Sequence, residues 1–225
     1  MTRKNNPKGT RQKIIEVSAE LFMKRGYENT SMINIIEGVG KSSGAVFHHF
    51  KTKLEILDAV LLYYEDSTFA MLKEWLDELQ YLNGRERIIE LLMRSLDSEQ
   101  QEVTEIQFVS LMRSPQIVVS SMISSVNRGS LFFAELLRQG IEDGSITCAD
   151  PERCAQVFTL LYNTWTDQPI FAVGLDEIKG RLQYLQLLMK NMGADIVTDE
   201  IIEKNMQLII ERSSDGNNLQ VHHLP

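Results

Sequence analysis

The chain has 225 residues, 43% of them apolar and 24% charged, a balance that excludes a disordered polyelectrolyte and suffices for one large domain or two unequal ones. Its formal net charge of −8 is unevenly placed: residues 1–60 hold ten Lys and Arg against six Asp and Glu, +4, whereas residues 61–225 hold 13 against 25, −12. The acidic part is repelled by phosphate, so only the N-terminal quarter suits a nucleic-acid partner, although a short basic start is also what a solvated tail shows.

Met1 to Lys8 is a basic, polar arm in which Arg3, Lys4 and Lys8 are placed to meet phosphate or a minor groove, or to form a plain frayed terminus. A helix follows from Thr10 to Arg25, with Ile15, Ala19 and Phe22 on one side and Lys24 and Arg25 at its negative end before Gly26. Ile33, Ile36 and Val39, three apart, stripe a short second helix over Ser31–Val39. Gly40 interrupts the pattern, Ser42 offers a hydroxyl cap, and Val46 and Phe50 give a third helix its apolar side. Helix, glycine turn, helix is the form that sets one short helix free to enter a major groove, and an ordinary helical corner has the same pattern. The outer face carries Ser42, Ser43, Ala45, Phe47, His48 and His49, with hydroxyl and imidazole groups suited to phosphates and base edges. Gly44 costs a helix about 1 kcal/mol against alanine, so it asks for a closely approaching backbone, either a phosphate chain or a neighbouring helix.

Thr52-Lys53-Leu54-Glu55 has the form of a capping box and opens a long fourth helix reaching to about Gln80, striped by Leu54, Leu57, Leu61, Tyr64, Met71, Trp75 and Leu79. Only helices come after it: Arg85–Asp97; Glu102–Arg113 with Ile106, Val109 and Met112; then, after the break at Pro115, Gln116–Gly140 with Gly129 as its candidate point of interruption. Asp150 caps and Pro151 opens the next helix, with Cys154, Phe158, Leu161 and Trp165 on one side, and Gln168-Pro169 ends it. Ile178, Leu182, Leu185, Met189 and Met192 stripe another, and Ile201, Met206 and Ile210 a last one before a polar tail. No strand-like alternation persists, so the fold class is all-α. Cys148 and Cys154 have neither the spacing of a CxxC pair nor that of a metal quartet. No apolar run reaches the roughly 18 residues that span a bilayer, and the basic start lacks the apolar core of a signal peptide, which points to a cytoplasmic protein with no membrane partner.

Thr10 to Leu61 resembles the DNA-binding domain of TetR-type transcriptional regulators. The amphipathic first helix ending in Gly26-Tyr27 carries the likeness, together with Thr30-Ser31, Gly40, Ser42, Gly44, the block Phe47-His48-His49-Phe50, and Lys53. Lys41 stands where that family usually has a small apolar residue, and Phe47 where it usually has tyrosine. The resemblance implies an N-terminal three-helix helix-turn-helix domain over residues 1–55 and a larger ligand-binding and dimerisation domain over 56–212; the polar, glycine-bearing composition of 213–225 adds a flexible tail. It places double-stranded DNA against Thr30, Ser31, Lys41, Ser42, Ser43, Gly44, Ala45, Phe47, His48, His49 and Lys53. It further implies a homodimer through late helices around 151–166 and 176–192, reading a near-palindromic operator as a repressor.

Among the middle helices the resemblance implies a pocket for a small-molecule inducer, with Met93, Phe108, Met112, Met122, Phe132, Tyr162, Asn163 and Trp165 as candidate lining; stripes at this spacing are also what ordinary core shows. No cofactor and no metal are expected. His48 and His49 are adjacent, so a helix points them about 100° apart, and they cannot share a metal as a pair four residues apart can. HExxH, a phosphate-cradling glycine loop and GxSxG are all absent from the sequence, and nothing in it supports catalysis. The alternative reading is a helical protein-interaction module with no ligand and no specific DNA site.

Overall fold

The computed structural model describes residues 7–97 and 114–214, and every regular element among them is helical. In order these are α1 (Pro7–Arg25), α2 (Met32–Val39), α3 (Ser43–His49), α4 (Lys53–Glu78), α5 (Gly84–Asp97), α6 (Pro115–Ser124), α7 (Ser130–Glu142), α8 (Pro151–Leu160), the four-residue α9 (Gln168–Phe171), α10 (Leu175–Asn191) and α11 (Asp199–Ser214). A π-turn, Ser125–Gly129, joins α6 to α7, and a second, Leu161–Trp165, follows α8. The expected helix Glu102–Arg113 lies outside the described residues, as do residues 215–225 of the expected tail; its first two residues, Ser213 and Ser214, are corrected, since they close α11. The described chain forms two compact units, residues 7–71 with 114–120 and residues 72–97 with 121–214.

In the first unit α1 packs on α2 and α3. Ile14, Ile15 and Phe22 of α1 are buried with Ile35, Val39, Val46, Phe50, Ile56, Leu57, Val60 and Leu61. The first helix begins at Pro7, three residues ahead of the expected start, because a proline at the first helical position lacks only an amide that would have no intrahelical partner. The expected stripe on α2 is corrected: Ile33 is 65% exposed, and Ile35 is the residue buried with Val39. A step of three turns a helix by about 300°, so the row Ile33, Ile36, Val39 drifts across the surface, while Ile35 and Val39, four apart, stay on the contact line. Gly38 lets that contact close, since a Cβ there would sit 2.8 Å from Cγ1 of Val17. On α4, Leu54 is likewise exposed, and Ile56 and Val60 take core positions that the expected stripe omitted.

The second unit is built on α7, which packs against α5 and α8, with α11 on α5 and α10 on α11. Its core includes Ile88, Leu91, Leu92, Leu136, Leu137, Phe158, Ile201 and, from α10, Ile178, Leu182, Leu185 and Met189 as expected. Where α5 meets α7 the backbones touch: a Cβ on Gly84 would lie 2.4 Å from the Gly140 backbone. The loop after α7 then caps α5. The Gly84 amide donates to Oδ2 of Asp143 at 2.6 Å, and the Arg85 amide to Oγ of Ser145 at 3.0 Å. Hydrogen bonds from Ser145 and from the Gly84 amide hold the Asp143 carboxyl below its ordinary range.

Asp150 caps α8, its Oδ1 accepting from the Arg153 amide at 3.0 Å with Pro151 at the first turn. The far end of that helix differs from expectation. The Thr166 amide bonds back five residues to Leu161, at 3.1 Å, and this wider turn moves Leu161 and Trp165 off the fully buried line of Cys154 and Phe158. Gln168-Pro169 opens α9 rather than closing α8. Against the expectation that no apolar run reaches spanning length, the continuous helical run Pro115–Glu142, 28 residues, is long and apolar enough by length and composition to cross a bilayer. Ser120, Ser121, Ser124, Ser125, Asn127 and Arg128 place polar groups along it, so its length and composition do not by themselves make it a membrane span.

Candidate nucleic-acid interface

Local hydrogen bonds build the helix-turn-helix. Ser31 caps α2: its Oγ accepts from the Asn34 amide at 3.2 Å, while its own amide donates to Oδ1 of Asn34 at 3.0 Å. Such a reciprocal box fixes the angle at which the chain enters the helix. At the other end Gly40 sits at φ 66°, a left-handed conformation that costs glycine no Cβ clash, and its N–H returns to the carbonyls of Ile36 and Glu37. Ser42 then starts α3, its Oγ accepting from the Ala45 amide at 3.3 Å. Val46 is fully buried and Phe50 nearly so, with the Arg11 guanidinium 5.1 Å from the Phe50 ring centroid. These anchors turn the opposite side of α3 outward.

That outward side carries most of the expected contact residues together. Lys41, Ser42, Ser43, Gly44, Phe47 and His48 are exposed, and Ala45 and His49 half-buried, with the two imidazole centroids 5.1 Å apart. Gly44 answers the question its sequence position raised. Its φ is not positive, and among the described residues a Cβ built on it meets nothing within 4 Å. No neighbouring helix among the described residues requires its side chain to be absent. Ser31 is exposed at the α2 cap.

Thr30 is corrected. It is buried, and its hydroxyl donates to the carbonyl of Gly26 at 2.9 Å, which makes it a brace of the α1–α2 turn with no free surface. Lys53 has a tertiary partner that its sequence position did not reveal. Its Nζ donates to the Tyr27 carbonyl at 2.7 Å and lies 4.1 Å from the Tyr27 ring centroid, tying the start of α4 to the end of the first turn. The capping box before it is also modified: Oγ1 of Thr52 accepts from the Glu55 amide at 3.1 Å, but the Glu55 carboxylate reaches the Lys51 amide at 2.7 Å, one residue further back. Lys51 and Ile33 are exposed residues of this unit that sequence reasoning missed. Lys51 had a legible signal, a cation directly after Phe50; Ile33 had none, because it counted as core.

In the second unit the expected pocket residues fall into separate groups. Phe132 meets Phe133, Phe133 meets Phe158, and Phe158 stacks on Tyr162 at 5.3 Å between centroids. Tyr162 Oη accepts from Nδ2 of Asn205 at 3.2 Å. Trp165 stands apart, with the Arg181 guanidinium 5.6 Å from its ring centroid and Tyr184 edge-on at 6.2 Å. Met93 and Met122 are half-buried and Asn163 is exposed; Phe108 and Met112 lie outside the described residues. Two surface depressions, of about 300 Å³ near Ser130, Asp150 and Gln156 and about 470 Å³ near Lys73, Arg87 and Gln139, include none of the expected lining. Cys148 and Cys154 are free and buried, and burial together with the neighbouring Cys148 sulfur pushes the Cys154 thiol up to about 12. Among the described residues no group of three or more His, Cys, Asp or Glu is placed to hold a metal.

The family model described as "Bacterial regulatory proteins, tetR family" matches residues 14–60, from α1 into α4. The HTH-type transcriptional repressor KstR2 of Mycobacterium tuberculosis is 30% identical over 139 residues, covering 60% of this chain and 68% of that protein. The HTH-type transcriptional regulator UidR of Escherichia coli is 25% identical over 139 residues, 61% of this chain and 69% of that one. The structure of RolR in complex with resorcinol superimposes with a TM-score of 0.58 at 18% identity, over 90% of this chain and 95% of that one, a likeness of fold alone. The helix-turn-helix geometry, the matched profile and these relatives agree, and the chain belongs to the TetR family of bacterial regulatory proteins, DNA-binding transcriptional regulators with an N-terminal helix-turn-helix and a helical C-terminal body.

Proposed function

We propose that two copies of this chain hold a near-palindromic operator as a repressor and leave it when a small-molecule inducer binds. The observation that carries the operator reading is Gly44, a helical glycine with no steric or conformational reason among the described residues of its own chain, on a face of exposed hydroxyl, amine and imidazole groups. A backbone approaching from outside supplies the reason, and the floor or wall of a major groove is the partner such a face fits. In this reading Lys41, Ser42, Ser43, Ala45, Phe47, His48 and His49 meet the groove, and Ser31 a flanking phosphate. Lys53, with two N–H donors left after Tyr27, holds phosphate at the start of α4. Residues 1–55 then serve DNA, and 56–212 the effector and the dimer. Operator binding places the protein in the cytoplasm.

Homodimerisation is supported by α10. Its core face is Ile178, Leu182, Leu185 and Met189, yet Gly180, Tyr184 and Leu187 line the opposite side in the open. A helix apolar on both sides calls for a second partner, and a second copy of α10, with the helix around 151–166 beside it, supplies one. The inducer reading rests on the aromatic row Phe132, Phe133, Phe158 and Tyr162 ending at the Asn205 amide, apolar walls with one polar anchor. The small aromatic diol bound in the RolR structure fits the same chemistry. Met93, Met122, Asn163 and Trp165, which lie outside that row, are the remaining candidates for the lining.

Selection of bound sequences from random duplex DNA, followed by titration of the selected duplex at two salt concentrations, tests the operator, the dimer and the reading face. Expected are a near-palindrome and an affinity that falls steeply with salt. No enrichment by a folded dimer free of ligand would overturn it and favour a protein-interaction module. Lys53→Ala with His48→Ala lowers affinity if the assigned face is right; unchanged affinity would show that DNA binds elsewhere.

A further inference from the structure

Phe47 is the one large apolar side chain that α3 turns outward, 37% exposed, while the other apolar residues of that corner, Val46 and Phe50, are buried. Its backbone is held: the carbonyl accepts from Nζ of Lys51, and the amide lies within the helix capped by Ser42. Among the described residues its ring meets no other ring and no cation, unlike the Phe50 ring under Arg11. Three residues earlier, and so on the adjacent part of the same face, Gly44 leaves bare backbone with nothing within 4 Å of where its Cβ would be. The ring therefore stands beside a gap one side chain deep, on a helix held in place from behind.

A phenyl ring has no hydrogen bond to offer phosphate or a base edge. On the floor of a major groove the one apolar group is the C5-methyl of thymine, and aromatic contact with that methyl is a recognised way of reading it. We propose that Phe47 is a specificity-determining residue, with its ring packed on a thymine methyl that the bare backbone at Gly44 lets come close. This rests on the operator reading above and deepens it: the hydroxyls and imidazoles position α3, and Phe47 makes thymine preferred over cytosine or uracil at one base in each half-site.

The test uses the duplex that the full chain selects from random DNA. Each thymine is replaced in turn by uracil, which keeps every hydrogen-bonding group and removes only the methyl, and affinity is measured for the unaltered chain, for Phe47→Ala and for Phe47→Leu. The unaltered chain is expected to lose about fourfold at one position per half-site, the worth of burying one methyl, and about fifteenfold with both replaced. Phe47→Ala is expected to bind the thymine and uracil duplexes equally, and Phe47→Leu to keep a reduced preference. Circular dichroism and a thermal melt check that both variants are folded, as expected for a partly exposed side chain. Uracil tolerated at every position, or a uracil penalty that persists in Phe47→Ala, would overturn the proposal while leaving DNA binding intact. Failure to select any duplex would instead sink the operator reading, and this inference with it.

Discussion

Gly44 and Ser18 show opposite ways in which a single residue departs from the fold's own interest. Gly44 forfeits helix stability with no return from the described parts of the chain, so Gly44→Ala is expected to stabilise the protein by up to about 1 kcal/mol in urea unfolding and to weaken operator binding at the same time. A gain in stability with undiminished DNA affinity would remove the case for close approach at α3. Ser18 is fully buried in α1, and its hydroxyl has no hydrogen-bond partner among the described residues. An orphaned buried hydroxyl is a cost, so Ser18→Ala is expected to raise stability by about 1 kcal/mol with DNA binding unchanged; a destabilised variant would mean that the hydroxyl is satisfied in solution. Neither residue could be sorted by sequence. Gly44 was legible as an anomaly, but whether a helix or an outside partner filled the space depended on what lies within 4 Å of it. Ser18 sat beside the apolar row of α1, and its burial depends on how that helix is turned against its neighbours.

At the scale of elements, the junction of α5, α7 and the loop after α7 concentrates the constraints of the second unit. Gly84→Ala would push a methyl into the Gly140 backbone at 2.4 Å, which only a shift of two helices can relieve. A loss of about 1–3 kcal/mol is expected in denaturant unfolding; a neutral result would mean that the helices part more easily than their contact suggests. Asp143 caps α5 from that loop. Its carboxyl is held below the ordinary carboxylate range, by Ser145 first and then by the Gly84 amide. A carboxyl with a lowered folded pKa stabilises above its unfolded pKa and loses that contribution as pH falls through the folded one. The melting temperature of the unaltered chain should therefore exceed that of Asp143→Asn near neutral pH, and the gap should close on acidification; a gap that stays constant with pH would show that the charge plays no part in the cap. The elements themselves were largely legible, since periodicity, caps and Pro151 mark their starts. The π-turn at Leu161–Trp165 was not, because an extra residue in a turn leaves the apolar spacing of the sequence untouched while rotating the residues beyond it.

For the whole molecule, charge and symmetry are the quantities that matter. A +4 start on a −12 remainder confines favourable phosphate contact to one end, so excess salt should weaken operator binding far more than it alters folding. The open side of α10 makes a separate prediction. Leu187 is 53% exposed there, and Leu187→Arg is expected to yield a folded monomer by sedimentation, with operator affinity lowered because each half-site is then bound alone. A dimer that survives this change would move the interface away from the exposed side of α10.

By itself the sequence determined the all-helical class, the order of the helices, the glycine turn before the third helix, and the outward face with its serines and histidines. These come from local rules, periodicity and capping, that act within one or two turns of chain. The tertiary structure decided what local rules leave open. It buried Thr30 under the first turn and gave its hydroxyl to Gly26, put Ile35 rather than Ile33 against α1, bound Lys53 to Tyr27, and left Gly44 with empty space before it. Apart from the Thr30–Gly26 bond, which spans four residues, these outcomes depend on residues distant along the chain or on a rotation of the helix against its neighbour, and spacing fixes a stripe but not which side of it the neighbour covers.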